Sequence, residues 1–353
     1  MSVAAAAQVL DFTAAERRAV LAHGPWPAAV APDGSHRAER DPAAAELGRR
    51  LFFATGLSGS GGIACASCHQ PGRAFQDGRS TAVGLGPGVR NTLGLLDAAG
   101  QRWFGWDGGT DSLWAASVRP LLNPLEMGAT AASVAARVRR DTSLAPLDRP
   151  DDEAVLVAVA KALAAYQATL VSPRTAFDDF RDALARDDMA AAARYPLSAQ
   201  RGLRLFVGRG RCALCHAGPR FSNGEFADIG VPFFVAGGVD PGRHAGLRAL
   251  QASRFNRLGP HADDAGAGAV ATRHVRLEHR HFGEFRVPTL RTLKHTAPYF
   301  HDGSRATLAD VVRHYSELDE DRLHADGERI LVPLRLTPTE AADLQTFLFT
   351  LSQ

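Results

Sequence analysis

All four cysteines of this 353-residue chain fall in two units of one pattern, Cys65-Ala66-Ser67-Cys68-His69 and Cys212-Ala213-Leu214-Cys215-His216. None remains for a disulfide or a catalytic thiol. Two thiols at this spacing, with an imidazole directly after the second, are what covalent attachment of haem c requires. The sulfurs bond the vinyl groups and the adjacent imidazole comes under the iron as its proximal ligand. Zinc is the competing chemistry, because four Cys and two His could build one site. A zinc site, however, gives no reason for a His immediately after each second Cys. The residues therefore predict two haem c groups, held by Cys65, Cys68 and His69 and by Cys212, Cys215 and His216. Haem c is attached outside the bacterial cytoplasm, which predicts a periplasmic address.

The other axial position of each iron separates a carrier from a catalyst. The only methionines are Met1, Met127 and Met189, and none follows Cys212. The second iron is left with a His, Tyr299 or Tyr315. After His69 the next histidine is His216, so no local His caps the first iron. Met127 remains formally available there, beside Glu126 in a Pro- and Gly-flanked loop. A carboxylate next to an open iron site could carry a proton from the inner to the outer oxygen of peroxide. Glu126 also reads as a surface loop residue.

These residues need helices to hold them. Leu47 to Phe53 precedes the first unit and Gly202 to Gly208 the second, each reading as a short amphipathic helix. This is an internal repeat. Asp151 to Val171 reads as a strong helix ending near Ser172-Pro173, and Arg181 to Pro196 as linker. Leu308 to Leu318 and Thr337 to Leu351 read as helices, the second opened by Thr337-Pro338-Thr339-Glu340. Strand signals are weak. The expected fold is mainly α, with two cytochrome-c-like haem domains, long loops and few strands. The peroxidatic domain is expected over 1–180 and the second haem domain over 195–353. Residues 236–285, rich in Gly, Arg and His, read as a long surface excursion. His274, His279 and His281 within it read as a solvated basic loop rather than a metal site. Trp103 and Trp114 read as packed aromatics.

Composition narrows the partners. A hydrophobic fraction of 45% and a charged fraction of 22% are ordinary for a globular protein. A net charge of +2 gives no reason to expect nucleic acid or a membrane surface. The longest apolar run, Ala154 to Leu170, is broken by Lys161, Tyr166 and Gln167, so no membrane span is expected. Met1-Ser2-Val3 and the alanines after it lack a basic region and a long apolar region. They read as a mature start whose export signal has been removed or replaced.

Over roughly residues 40 to 350 the chain resembles the bacterial di-haem cytochrome c peroxidase family, and within it the MauG-type branch. The resemblance rests on both haem units, Arg90-Asn91-Thr92, Phe104-Gly105-Trp106-Asp107-Gly108 and Asn123-Pro124-Leu125-Glu126-Met127-Gly128. It continues through Phe285-Arg286-Val287-Pro288-Thr289-Leu290-Arg291 and Thr296-Ala297-Pro298-Tyr299-Phe300-His301-Asp302-Gly303. It implies that Glu126 is the distal acid–base residue at the peroxidatic haem, with Pro120 lining that pocket. It implies that Trp106 lies between the haems as a relay. The Asn91 side chain and the carbonyls of Thr296 and Pro298 would hold one Ca²⁺.

Three departures from the common family pattern refine the expectation. Ordinary members ligate the second haem with a Met after Ala-Thr-Leu and a short helix. Here, after Ala306-Thr307-Leu308, that position is Tyr315, the MauG-type signature. A phenolate favours ferric and higher iron states. His314 competes, but neighbouring helical residues point about 100° apart, so only one can face the iron. Secondly, no His stands in the loop that blocks the first iron in many members, so that haem is expected to be open. Thirdly, Ala116 stands where relatives often hold a pocket Gln. The resemblance implies an oxidase that takes hydrogen peroxide to a high-valent di-haem state and oxidises a side chain, a tryptophan, on a partner protein. The segment Phe12 to Arg17 with His23-Gly24-Pro25-Trp26-Pro27 is closer to the MbnH-like members. The alternatives are a peroxidase drawing electrons from a small cytochrome or cupredoxin, and a non-catalytic di-haem carrier.

Overall fold

The computed structural model describes every residue except 1–7, 232–233, 236–237, 265, 267, 321–323, 325 and 328. The expected trimmed start, Met1 to Ala7, lies outside the described residues. Helices carry the fold. The described strands are two antiparallel two-residue pairs, Phe226–Ala227 with Phe285–Arg286 and Phe234–Val235 with Gly238–Val239. No helix among the described residues is long and apolar enough to cross a membrane.

Two apolar cores organise the chain. In the first, the helix Pro42–Phe53 crosses the helix Asp152–Ala168. Asp41 caps the former by accepting from the Ala43 N–H, with Pro42 in the first turn. Asp151 caps the latter through the Ala154 N–H. Leu51 and Phe52 are buried, as are Val155, Leu156, Val159 and Leu163. At the crossing stands Gly48, where a Cβ would lie 1.8 Å from the Ala162 carbonyl oxygen. The second core repeats the device. Leu197–Val207 crosses Pro338–Phe349 at Gly202, where a Cβ would lie 2.0 Å from the Asp343 carbonyl oxygen. Phe177, Phe206, Phe221 and Phe347 fill the space around it. The repeat visible before each haem unit thus extends to the partner helix.

Two expectations about organisation are corrected. Arg181 to Pro196 is no linker: the helices Ala176–Ala185 and Met189–Ala192 bury Phe177, Phe180, Leu184 and Ala192 in the second core. Their apolar stripe is short and interrupted by charge, which masked it. Residues 236–285 are more than a surface excursion: the helix Arg243–Ala252 buries Leu247 and Leu250 against Trp103. The Arg243 guanidinium lies 4.4 Å from the Trp103 ring centre. The helix Ala14–Leu21, closed by a Thr13–Glu16 capping box, sets Val20 on the second core. The start of the chain therefore packs with residues 177–351.

A buried ion pair ties this core to the second haem unit. Fully buried Arg291 donates to both carboxylate oxygens of Asp178, at 3.0 and 2.8 Å. Its Nε donates to the Pro219 carbonyl at 2.7 Å, three residues after His216.

Candidate haem centres

The two Cys-x-x-Cys-His units close into equivalent turns. The His69 N–H donates to the Cys65 carbonyl at 2.9 Å, and the His216 N–H to the Cys212 carbonyl at 2.9 Å. The side chains match as well. His69 Nδ1 lies 3.0 Å from the Phe75 carbonyl oxygen and His216 Nδ1 lies 2.9 Å from that of Phe221. An Nδ1–H donated to a carbonyl fixes the tautomer and leaves the Nε2 lone pair for iron. Both acceptors lie on left-handed residues, Phe75 at φ 61° and Phe221 at φ 52°, a conformation that bulky side chains rarely adopt. Burial pushes the Cys65 and Cys212 thiols up to about 12. These donors fit two haem c groups.

A largely apolar cavity opens beside the second unit, lined by Cys212, Cys215, His216, Tyr299, Tyr315 and Trp106 among others. Tyr315 belongs to the helix Leu308–Ser316, which Thr307 and Asp310 close with a capping box. Burial, and then the neighbouring Cys212 and Cys215, push its phenol above the ordinary range. His314 turns away, its Nε2 lying 2.8 Å from the Ile229 carbonyl oxygen. Tyr299 lines the cavity, but its hydroxyl donates to the Leu293 carbonyl at 2.8 Å.

At the first unit, Pro120 sits in the last turn of the helix Leu113–Leu122, and its carbonyl accepts from the Met127 N–H at 3.2 Å. Asn123 shapes the loop that follows. Its side-chain amide donates to Glu126 Oε1 at 2.6 Å, and its carbonyl accepts from the Glu126 N–H at 3.0 Å. The Leu85 N–H donates to the Glu126 carbonyl at 3.0 Å, and nearby Val83 lies 3.8 Å by its carbonyl from Cys68 Sγ. Glu126 is half-buried and within electrostatic reach of Cys68. After burial and Asp77, its charge helps to push that thiol up. Met127 is buried in the first core, and Ala116 packs against that core.

Trp106 is buried against Phe285, Leu93 and Phe282 and lines the same cavity as His216. Its indole N–H donates to the Asn91 carbonyl at 2.8 Å. The Asn91 side-chain amide donates to the Arg79 carbonyl at 2.7 Å, which aims Oδ1 the other way. Asn91 Oδ1 and the Thr296 carbonyl then both accept from Gln76 Nε2, each at 3.0 Å. Gln76 Oε1 is buried without a partner. As placed, the Gln76 amide nitrogen satisfies both oxygens; with that amide turned over, its unpartnered Oε1 would join them, a three-oxygen set that fits a hard cation. Pro298 lies in the same cavity wall.

Several residues escaped sequence reasoning. The acceptor carbonyls of Phe75 and Phe221 carry no side-chain signal. Their only trace is a Phe five or six residues beyond each proximal His. Gln76 was equally silent. Asp107 accepts two hydrogen bonds from Arg119 and one from Arg90, while Arg90 also pairs with Asp240. Burial opposes its ionisation, yet these guanidiniums hold the Asp107 carboxyl well below the ordinary range. The network flanks both Asn91 and Trp106 in sequence.

A family model described as di-haem cytochrome c peroxidase matches residues 42–186. The methylamine utilization protein MauG of Methylorubrum extorquens is 35% identical over 316 residues, 88% of this chain and 78% of that protein. Cytochrome-c peroxidase IdrP2 of a Pseudomonas species is 32% identical over 321 residues, 88% of this chain and 82% of that protein. The crystal structure of a MauG-like protein associated with microbial copper homeostasis superposes with a TM-score of 0.67 at 26% identity, covering 94% of this chain and 96% of that one. The diheme peroxidase BthA of Burkholderia thailandensis shares the fold, with a TM-score of 0.69 at 24% identity over 92% of this chain and 88% of that one. The chain belongs to the di-haem cytochrome c peroxidase family, and is an enzyme whose chemistry rests on two haem c groups.

Proposed function

We propose that this chain is a MauG-type oxidase, which takes two oxidising equivalents from hydrogen peroxide and passes them to a side chain, a tryptophan, on a separate periplasmic protein. The observation that carries this reading is the cavity beside the second haem unit. Tyr315 lines it together with His216, His314 is held to the Ile229 carbonyl, and no Met follows Cys212. The bound haems would supply the redox chemistry of iron. Tyr315 would hold the second iron through its oxygen, giving up the phenol proton on ligation, and an anionic donor there would disfavour collecting electrons from a small carrier. Glu126, anchored by Asn123, moves the proton between the peroxide oxygens, and Pro120 closes the wall beside it. Trp106 holds the path between the two centres. Asn91, Thr296 and Pro298 would hold a Ca²⁺ that would stiffen this path, because the Asn91 carbonyl also fixes the indole N–H. If a calcium chelator left the optical spectra of both haems unchanged, this role for the ion would fail.

The second reading, a peroxidase drawing electrons from a small cytochrome or cupredoxin, is favoured by the likeness to the relatives named cytochrome-c peroxidase. Peroxide turnover with a reduced small cytochrome or a reduced cupredoxin as sole donor separates the two. The oxidase reading predicts turnover at least tenfold slower than peroxide consumption by the diferric enzyme in single-turnover mode. Fast, saturable oxidation of either carrier would favour the peroxidase.

A further inference from the structure

We propose that His279, His324 and Asp326 form a surface site for one divalent transition metal of the kind imidazole selects, Zn²⁺ or Cu²⁺. One ligand atom from each of the three lies within 4.8 Å of the others. Metal–ligand bonds of about 2.0–2.2 Å span nearly that distance, so a small side-chain rotation closes the set.

The strongest sign is the state of His324. Its Nε2 lies 2.7 Å from the Phe282 carbonyl oxygen, so Nε2 carries the proton and donates it. Nδ1 is thereby left as a lone pair, and it is buried without any partner. A histidine fixed through one nitrogen by a backbone carbonyl, with the other nitrogen free, has the preparation of a metal ligand. An exposed ion pair accounts for His279 and Asp326, whose Nδ1 and Oδ2 are 2.9 Å apart. It leaves the buried nitrogen of His324 unexplained. The His279 and His324 rings meet edge to face at 5.0 Å between centres.

Two imidazoles and one carboxylate select Zn²⁺ or Cu²⁺ over Ca²⁺ and Mg²⁺. The site is therefore chemically separate from the all-oxygen position at Asn91. Its members stand 45 or more positions apart in sequence, His279 against His324 and Asp326. Neither His274 nor His281 belongs to the cluster. Phe282, whose carbonyl fixes His324, packs on the Trp106–Phe285 cluster, so a bound ion would sit at the surface end of that packing.

The test uses tag-free holoenzyme in a non-chelating buffer with Ca²⁺ saturating. Zn²⁺ binding is measured by equilibrium dialysis and calorimetry, and Cu²⁺ binding by paramagnetic resonance. The wild type should take one ion of Zn²⁺ more than the double variant His279→Ala/His324→Ala. Each single substitution, and Asp326→Ala, should weaken that ion at least tenfold, while His274→Ala should not. The Cu²⁺ spectrum should show nitrogen hyperfine structure that the double variant lacks. Unchanged haem absorption in each variant confirms that it has folded. Equal Zn²⁺ stoichiometry in wild type and double variant, or a Cu²⁺ spectrum indifferent to both substitutions, would overturn the proposal.

Discussion

His314 and Tyr315 are neighbours on one helical turn, and one hydrogen bond distinguishes them. With its Nε2 against the Ile229 carbonyl, His314 is turned from the cavity that Tyr315 lines. The absence of Met after Cys212 left a His, Tyr299 or Tyr315, and only the resemblance, through the position where ordinary members carry Met, reduced the choice to His314 and Tyr315. The sequence could not go further, because the Ile229 carbonyl lies 85 positions away. Glu126 shows the same limit. Its type and its Pro- and Gly-flanked loop were legible, but its anchoring by Asn123 and its approach to Cys68 depend on how that loop packs on residues 83–86. Glu126→Gln keeps the size of the side chain and removes its basicity. The expected outcome is a fall of about 10²- to 10⁴-fold in the rate of reaction with peroxide, with unchanged haem absorption. Stopped-flow absorption measures it, and a loss smaller than threefold would remove Glu126 from the chemistry.

The two helix crossings are where the internal repeat acquires a physical cause. Gly48 and Gly202 stand where a partner helix approaches too closely for any side chain, against the carbonyls of Ala162 and Asp343. Each crossing delivers its chain to a haem turn. Gly48→Ala or Gly202→Ala must push the helices apart, a cost at the upper end of roughly 1–3 kcal/mol for an overpacked core. Calorimetry should record a lowered melting temperature for both, whereas Gly72→Ala, with nothing within 4 Å, should melt like the wild type. The helices capped at Asp151, Thr307 and Thr337 were legible because cap and apolar period agree, whereas the one capped at Asp41 was read only from Leu47 onward. The helix Arg243–Ala252 was not legible. It opens on Gly242 with no side-chain cap, and its buried Leu247 and Leu250 are diluted among Arg, His and Gly.

Across the whole molecule, Asp107 gathers Arg90 and Arg119, and through Arg90 reaches Asp240. Asp107 and Asp240 are both held below the ordinary carboxyl value of 3.8. A carboxyl depressed in the folded state stabilises it above that ordinary value, and the stabilisation is lost as pH falls toward the folded value. Melting temperature should therefore drop steeply below about pH 4. Arg90→Met should be less stable at pH 7 and lose less on further acidification. An unchanged pH profile in that variant would show that the network does not set acid stability. The claim that joins both centres is that Tyr315 ligates the second haem while the first stays open. The most direct measurement is paramagnetic resonance and optical absorption of the ferric holoenzyme, before and after one equivalent of hydrogen peroxide. One high-spin and one low-spin haem are predicted, with a lasting oxidised state formed without prior reduction and lost in Tyr315→Phe. Two low-spin haems, or no reaction until one haem is reduced, would contradict it.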